Sequence, residues 1–198
     1  MSRTYGMAPE ETLIQGCQAG KRKSQSQLYR MYAPQMLGVC LRYAPDRATA
    51  EDILQDGFIK VFLNIGSYRG EGSFEGWIRR IMMNTALSWF KASRRQGFPE
   101  DIDGMEERIA AGEETEEGEA LLARLKPEEV MALIQRLPEG YRMVLNLYVF
   151  EGLSHREIAR SLEITENTSK SQLSKARRFL RRLLESEEKE REYIPVQR

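Results

Sequence analysis

Trp77, Arg80, Asn84, Ser88 and Lys91 follow one another at spacings of three, four, four and three residues, which sets them in one stripe of a helix. An indole, a guanidinium, an amide and an ammonium in line suit one kind of chemistry. The ring can stack on unpaired bases, the amide can hydrogen-bond an exposed base edge, and the cations can hold phosphates. That is a surface for opened, single-stranded DNA. The plain alternative is a core tryptophan beside solvated cations, and spacing by itself does not separate the two. A second set, Asn167, Thr168, Lys170, Ser171, Ser174, Lys175 and Arg178, lies on a helix whose apolar stripe reads as Leu173, Ala176, Leu180 and Leu183. Short polar groups and cations on one face, flanked by Arg177, Arg181 and Arg182 and opposed only by Glu166, suit a major groove. A solvated basic helix of an ordinary bundle is the competing reading.

The elements around this second set favour the groove. Ser154 and Glu157 form a capping box for a short helix. Ile158, Ala159 and Leu162 face inward, with Ala159 small enough for close helix approach. Ile164 plugs the following turn, and Thr165 caps the next helix, from Glu166 to about Leu184. That order of parts is a helix-turn-helix. The only histidine, His155, stands on the first turn of a surface helix with no nucleophile at fixed spacing. A solvated or phosphate-contacting role is therefore expected rather than a catalytic one.

Upstream, helical periodicity marks 10–19, 24–43 and 48–65, the last placing Ile53, Leu54, Phe58, Val61, Phe62 and Ile65 on one face. Ser73 is the expected cap of a helix from Phe74 to about Arg94. From Gln96 to Leu125 the pattern gives way to Gly, Pro and acids, and ten acids between Glu100 and Glu119 face the lone Arg108. This reads as a tether. Periodicity returns at Pro127 and runs to Leu137; a further helix is expected at 141–151, and a charged tail begins at Glu185.

Thirty basic and thirty acidic residues give zero net charge over 198 residues, at first sight unlike a nucleic-acid binder. Since the acids concentrate in the tether, the remainder is net basic. No stretch approaches a membrane span and the N-terminus lacks an apolar core with a cleavage site, so a cytoplasmic protein is expected. Cys17 and Cys40 are not spaced as a metal pair, and no phosphate-cradling loop or nucleophile–base pair occurs. No cofactor, metal or enzymatic activity is expected.

The block AEDILQDGFIKVFLNIGSYRGEGSFEGWIRRIMMNTALSWFKASRR resembles conserved region two of bacterial sigma factors of the extracytoplasmic-function (ECF) class. LPEGYRMVLNLYVFEGLSHREIARSLEITENTSKSQLSKARRFL resembles region four. The resemblance implies an all-α protein of two small helical domains joined by a flexible acidic linker, the second domain holding the helix-turn-helix. Its parts are an N-terminal segment 1–23, region two at 24–96, the linker at 97–126, region four at 127–185 and a tail at 186–198. It implies that Glu51, Asp52, Gln55, Asp56 and Lys60 dock the clamp helices of core RNA polymerase. It also implies that the Trp77 stripe reads the promoter minus-ten element and the Glu166 helix the minus-thirty-five element. The linker would occupy the RNA exit path, and an anti-sigma factor, usually membrane-anchored, would be a partner. Departures from the class occur at Ser169, often apolar, at Gln172, often basic, and at Leu87 and Ser88, where polar or acidic residues are common. The competing function is a helix-turn-helix regulator that acts without joining the polymerase.

Overall fold

The computed structural model describes residues 10–95 and 126–192; the acidic tether at 97–125 lies outside them. The regular elements are helical throughout the described residues: α1 (Glu10–Gln18), α2 (Arg22–Tyr43), α3 (Arg47–Asn64), a 3-10 turn (Ile65–Ser67), α4 (Phe74–Arg95), α5 (Pro127–Gln135), α6 (Glu139–Val149), α7 (His155–Leu162) and α8 (Glu166–Glu192). They gather into two compact units divided between Trp89 and Phe90.

In the first unit, three helix boundaries have a local cause. Gly20, at φ +70°, turns the chain between α1 and α2, a backbone conformation that glycine adopts without penalty. Asp46 caps α3 by accepting from the Thr49 amide at 2.7 Å, and Ser73 accepts from the Gly76 amide at 3.1 Å at the start of α4. Leu28, Met36, Ile53, Val61, Phe74, Ile78 and Met82 form the buried centre. Gly57 permits close helix contact: a Cβ there would stand 2.2 Å from Met82 Sδ. The segment before residue 24 is not separate from this unit. Leu13, Ile14 and Cys17 of α1 are buried, and Gln18 Nε2 donates to the Ile65 carbonyl at 3.1 Å.

In the second unit, Leu133, Ile134, Leu137, Met143, Val144, Leu147, Ile158, Leu162, Leu173, Ala176, Leu180 and Leu184 make the core. α6 begins at Glu139 rather than at Tyr141, because Pro138 (φ −50°) presets the entry to the helix. α8 runs to Glu192, well past the expected end near Leu184. Glu, Lys and Arg are strong helix formers, so the helix continues after its apolar stripe has ended. The inward stripe also ends on Leu184, with Leu183 only half-buried. No helix of the described residues is long and apolar enough to cross a membrane.

Candidate functional site

α3 carries a face that its sequence only half revealed. Asp52, Asp56, Ile59 and Leu63 are spaced four, three and four residues apart, and all four are exposed; they therefore form one outward stripe, acidic in its first half and apolar in its second. Leu63 is 78 % exposed and Ile59 53 %, on the same helix as the buried Ile53, Leu54, Phe58 and Val61. Phe62, expected in the core, is half-buried at the flank, where its ring lies 6.0 Å from that of Phe58. Glu51 and Gln55 are exposed beside the stripe, with Glu51 paired to Arg47 at 2.8 Å. Lys60 leans away from it, its ammonium donating to Thr85 Oγ1 at 3.1 Å. Ile59 and Leu63 fall outside the core face read from the sequence, and helical spacing alone gives an apolar residue off that face no partner.

On α4, Arg80, Asn84 and Ser88 are exposed along one line, Trp77 is half-buried at its head, and Lys91 is half-buried near its end. The indole is neither wholly core nor free. It stacks on Phe74 at 5.6 Å and 19° and meets Tyr68 at 5.6 Å, so the part facing solvent is held on a rigid aromatic base. Ser88 Oγ donates to the Asn84 carbonyl at 2.9 Å, leaving the Asn84 amide as the outward hydrogen-bonding group of the stripe. Thr85 and Leu87 are buried, so the class departure at Leu87 falls on an inward position while that at Ser88 falls on the exposed line.

The helix-turn-helix forms as its residues imply. Ser154 Oγ accepts from the Glu157 amide at 3.3 Å, and Glu157 Oε2 accepts from the Ser154 amide at 2.9 Å and from its hydroxyl at 2.7 Å. Glu163, the one non-glycine residue at positive φ among those described, makes the corner. Thr165 Oγ1 then accepts from the Thr168 amide at 3.0 Å. The Ser154 hydroxyl and amide hold the Glu157 carboxyl below its usual range. A depressed carboxyl contributes stability above its unfolded pKa, about 4.3, and loses it as pH falls through the lower folded value. Ser154→Ala removes the N-cap hydroxyl and should lower stability by about 1 kcal/mol near neutrality. The gap to wild type should narrow as the pH is taken below about 4. Thermal unfolding of both proteins across that range checks it, and a gap unchanged by acid would contradict the assigned role of Glu157.

α8 presents Asn167, Lys170, Ser171 and Ser174 exposed, with Thr168, Lys175 and Arg178 half-buried. The inward face is broader than its leucines suggested, since Ser169 and Gln172 are buried with them. This places Ser171 opposite the buried stripe and moves Lys175, expected on the outward face, to its flank beside Thr168. The Thr168 hydroxyl lies 2.8 Å from Thr165 Oγ1 within the cap. Both class departures thus fall on inward positions. His155 is half-buried rather than solvated: Nδ1 lies 2.9 Å from Ser169 Oγ, and its ring stacks on Tyr148 at 4.9 Å and 23°. Among the described residues no cluster of His, Cys, Asp or Glu could hold a metal ion. Both cysteines are free and buried, and burial pushes the Cys40 thiol up to about 12.

Comparison with known proteins gives two family matches, sigma-70 region 2 over residues 28–96 and sigma-70 region 4 over residues 127–180. The chain is 30 % identical over 181 residues to the RNA polymerase sigma-H factor of Pseudomonas aeruginosa, covering 89 % of this chain and 94 % of that one. It is 30 % identical over 178 residues to the ECF RNA polymerase sigma-E factor of Escherichia coli K12, covering 85 % and 90 %. A solved complex of a sigma factor with the anti-sigma factor NepR from Bartonella quintana matches at 20 % identity and TM-score 0.47, covering 81 % and 96 %.

Proposed function

The chain belongs to the sigma-70 family of RNA polymerase sigma factors, in the extracytoplasmic-function class, and from that premise we propose which of its residues hold the polymerase and which read the promoter. It is a non-catalytic initiation factor that binds core RNA polymerase and recognises promoter DNA. The observation that carries the residue assignment is the outward stripe of α3. Asp52 and Asp56 meet basic groups of the polymerase clamp, Ile59 and Leu63 cover apolar surface beside them, and Glu51 and Gln55 form the rim, while Lys60, held to Thr85, borders the face on the α4 side. An acidic and apolar outward face on the first unit suits docking to a protein such as the polymerase, and this favours the sigma-factor reading over a regulator that acts on DNA alone.

Trp77, Arg80, Asn84, Ser88 and Lys91 hold the opened minus-ten strand, the indole stacking, the Asn84 amide reading a base and the cations on phosphate. α8 lies in the major groove at the minus-thirty-five element, as the second helix of a helix-turn-helix does. The working domains are the unit of α1 to α4, with α1 packed onto the region-two part at 24–96, and 127–185, joined through the acidic linker at 97–126, whose negative charge suits the path later taken by the transcript. The protein acts in the cytoplasm, with an anti-sigma factor, membrane-anchored as is usual for the class, as its inhibitor.

On α8, Ser171 and Ser174 stand outward in the helix's first half and reach base edges together with Asn167. Lys170, Thr168, Lys175 and Arg178 flank them towards the phosphates, and Arg182 lies too far along to reach a base. Ser171→Ala should cost about 1–3 kcal/mol at one base pair only. Arg182→Ala should weaken binding to all sequences alike and reduce the salt slope by about 0.9 for the lost phosphate contact. Affinities of the holoenzyme for single-base minus-thirty-five variants at several salt concentrations decide this. A change of sequence preference in Arg182→Ala, with uniform weakening in Ser171→Ala, would mean that the docking register is displaced by at least a turn.

A further inference from the structure

We infer that His155, Ser169 and Tyr148 form a clasp that sets the angle between the two helices of the helix-turn-helix, so that His155 and Ser169 are positioning residues for minus-thirty-five binding. The inference rests on the reading of α8 as the recognition helix. Ser169 is 0 % exposed, and a buried hydroxyl left without a partner is costly. The side-chain partner present is His155 Nδ1, at 2.9 Å across fourteen residues of sequence. The hydroxyl donates to Nδ1 when the imidazole proton is on Nε2 and accepts when it is on Nδ1, so either neutral tautomer satisfies it. His155 is the first residue of α7 and Ser169 lies in the first turn of α8. The bond therefore closes the corner where the outward residues of α8 begin.

The imidazole is fixed from a second side. Tyr148, in the last turn of α6, stacks on it at 4.9 Å with an interplanar angle of 23°. One side chain of α7 is thus held by two other helices. A generic apolar contact at position 169 would tolerate sliding, whereas a directional hydrogen bond combined with a ring stack fixes both distance and orientation. Asn167, Lys170 and Ser171, immediately around Ser169, inherit that orientation.

The test uses holoenzyme assembled from core polymerase and full-length chain, with four variants: Ser169→Ala, His155→Phe, their combination, and His155→Asn. Phe keeps a ring on Tyr148 but loses the hydrogen bond. Asn loses the ring but keeps an acceptor near the position of Nδ1. Ser169→Ala and His155→Phe should each reduce the preference for the correct over a scrambled minus-thirty-five element by about five- to tenfold, the scale of one hydrogen bond. The double variant should be no worse than the more affected single one, and His155→Asn should retain more of the preference than His155→Phe. Binding to the scrambled element should stay constant in every variant. If the variants lower the unfolding temperature while leaving the preference intact, the clasp serves stability alone and the inference is overturned; effects that multiply in the double variant also overturn it. Ser171→Ala is the control for the reading beneath: if it too leaves the preference intact, the recognition-helix assignment has failed rather than the clasp.

Discussion

Asp52→Arg combined with Asp56→Arg is expected to weaken assembly with core RNA polymerase on the order of a hundredfold or more while leaving the thermal unfolding of the free chain unchanged. Truncating or opposing a charge that is paired within an interface costs about 2–5 kcal/mol, and each 1.4 kcal/mol is tenfold in affinity. Stability is spared because both carboxylates stand on the exposed stripe of α3, while Ile53, Leu54, Phe58 and Val61 hold its other side in the core. The apolar half of the stripe gives an independent arm. Leu63 is 78 % exposed, so Leu63→Glu costs the free protein little. Covering that side chain on docking is worth about 1.5–3 kcal/mol, and its loss should lower affinity by roughly ten- to a hundredfold. The charge reversal should lose part of its effect in high salt, and Leu63→Glu should keep most of its own. If a titration of labelled chain with core polymerase returned wild-type affinity for both folded variants, the α3 assignment would be wrong.

Trp77→Ala is expected to slow promoter opening by about ten- to a hundredfold, the scale of one stacked base at 1–3 kcal/mol, with duplex binding through α8 preserved. Trp77 also rests on Phe74 and Tyr68, so part of any loss in that variant is packing. Asn84→Ala is the cleaner substitution, since Asn84 is exposed and the Ser88 hydroxyl bonds its carbonyl rather than its amide. On a template with an artificial bubble, wild type should prefer one base at a single minus-ten position. Asn84→Ala should lose that preference while still binding. Equal affinity for every base in both proteins would remove the Asn84 role, and unaltered opening kinetics in Trp77→Ala would remove the stacking role.

What could be read along the chain was what depends on neighbours in sequence. Ser154 with Glu157, the small Ala159 and the cap at Thr165 each act within a helical turn, and the helix-turn-helix they imply is the one observed. What failed to show depends on partners brought together by folding. His155 and Ser169 are fourteen residues apart, so the polar residue in an apolar slot looked like a departure until its partner stood beside it. Ile59 and Leu63 were hidden because α3 is apolar on more than one side, and composition does not reveal which side is covered. The inward turn of Ser169 and Gln172 likewise sets Lys175 on the flank of the outward face. The length of α8 is hidden for another reason: after Leu184 the apolar period stops, but propensity carries the helix to Glu192.

Run-off transcription with purified core polymerase on promoter fragments, with and without this chain, is the decisive measurement of polymerase-dependent promoter recognition. Discrete transcripts should appear only when the chain is added. Their start points should share minus-ten and minus-thirty-five elements, and they should disappear with Asp52→Arg/Asp56→Arg. Sequence-specific DNA binding by the chain alone, with no chain-dependent transcript and no association with core polymerase, would contradict that recognition and leave the helix-turn-helix regulator in its place.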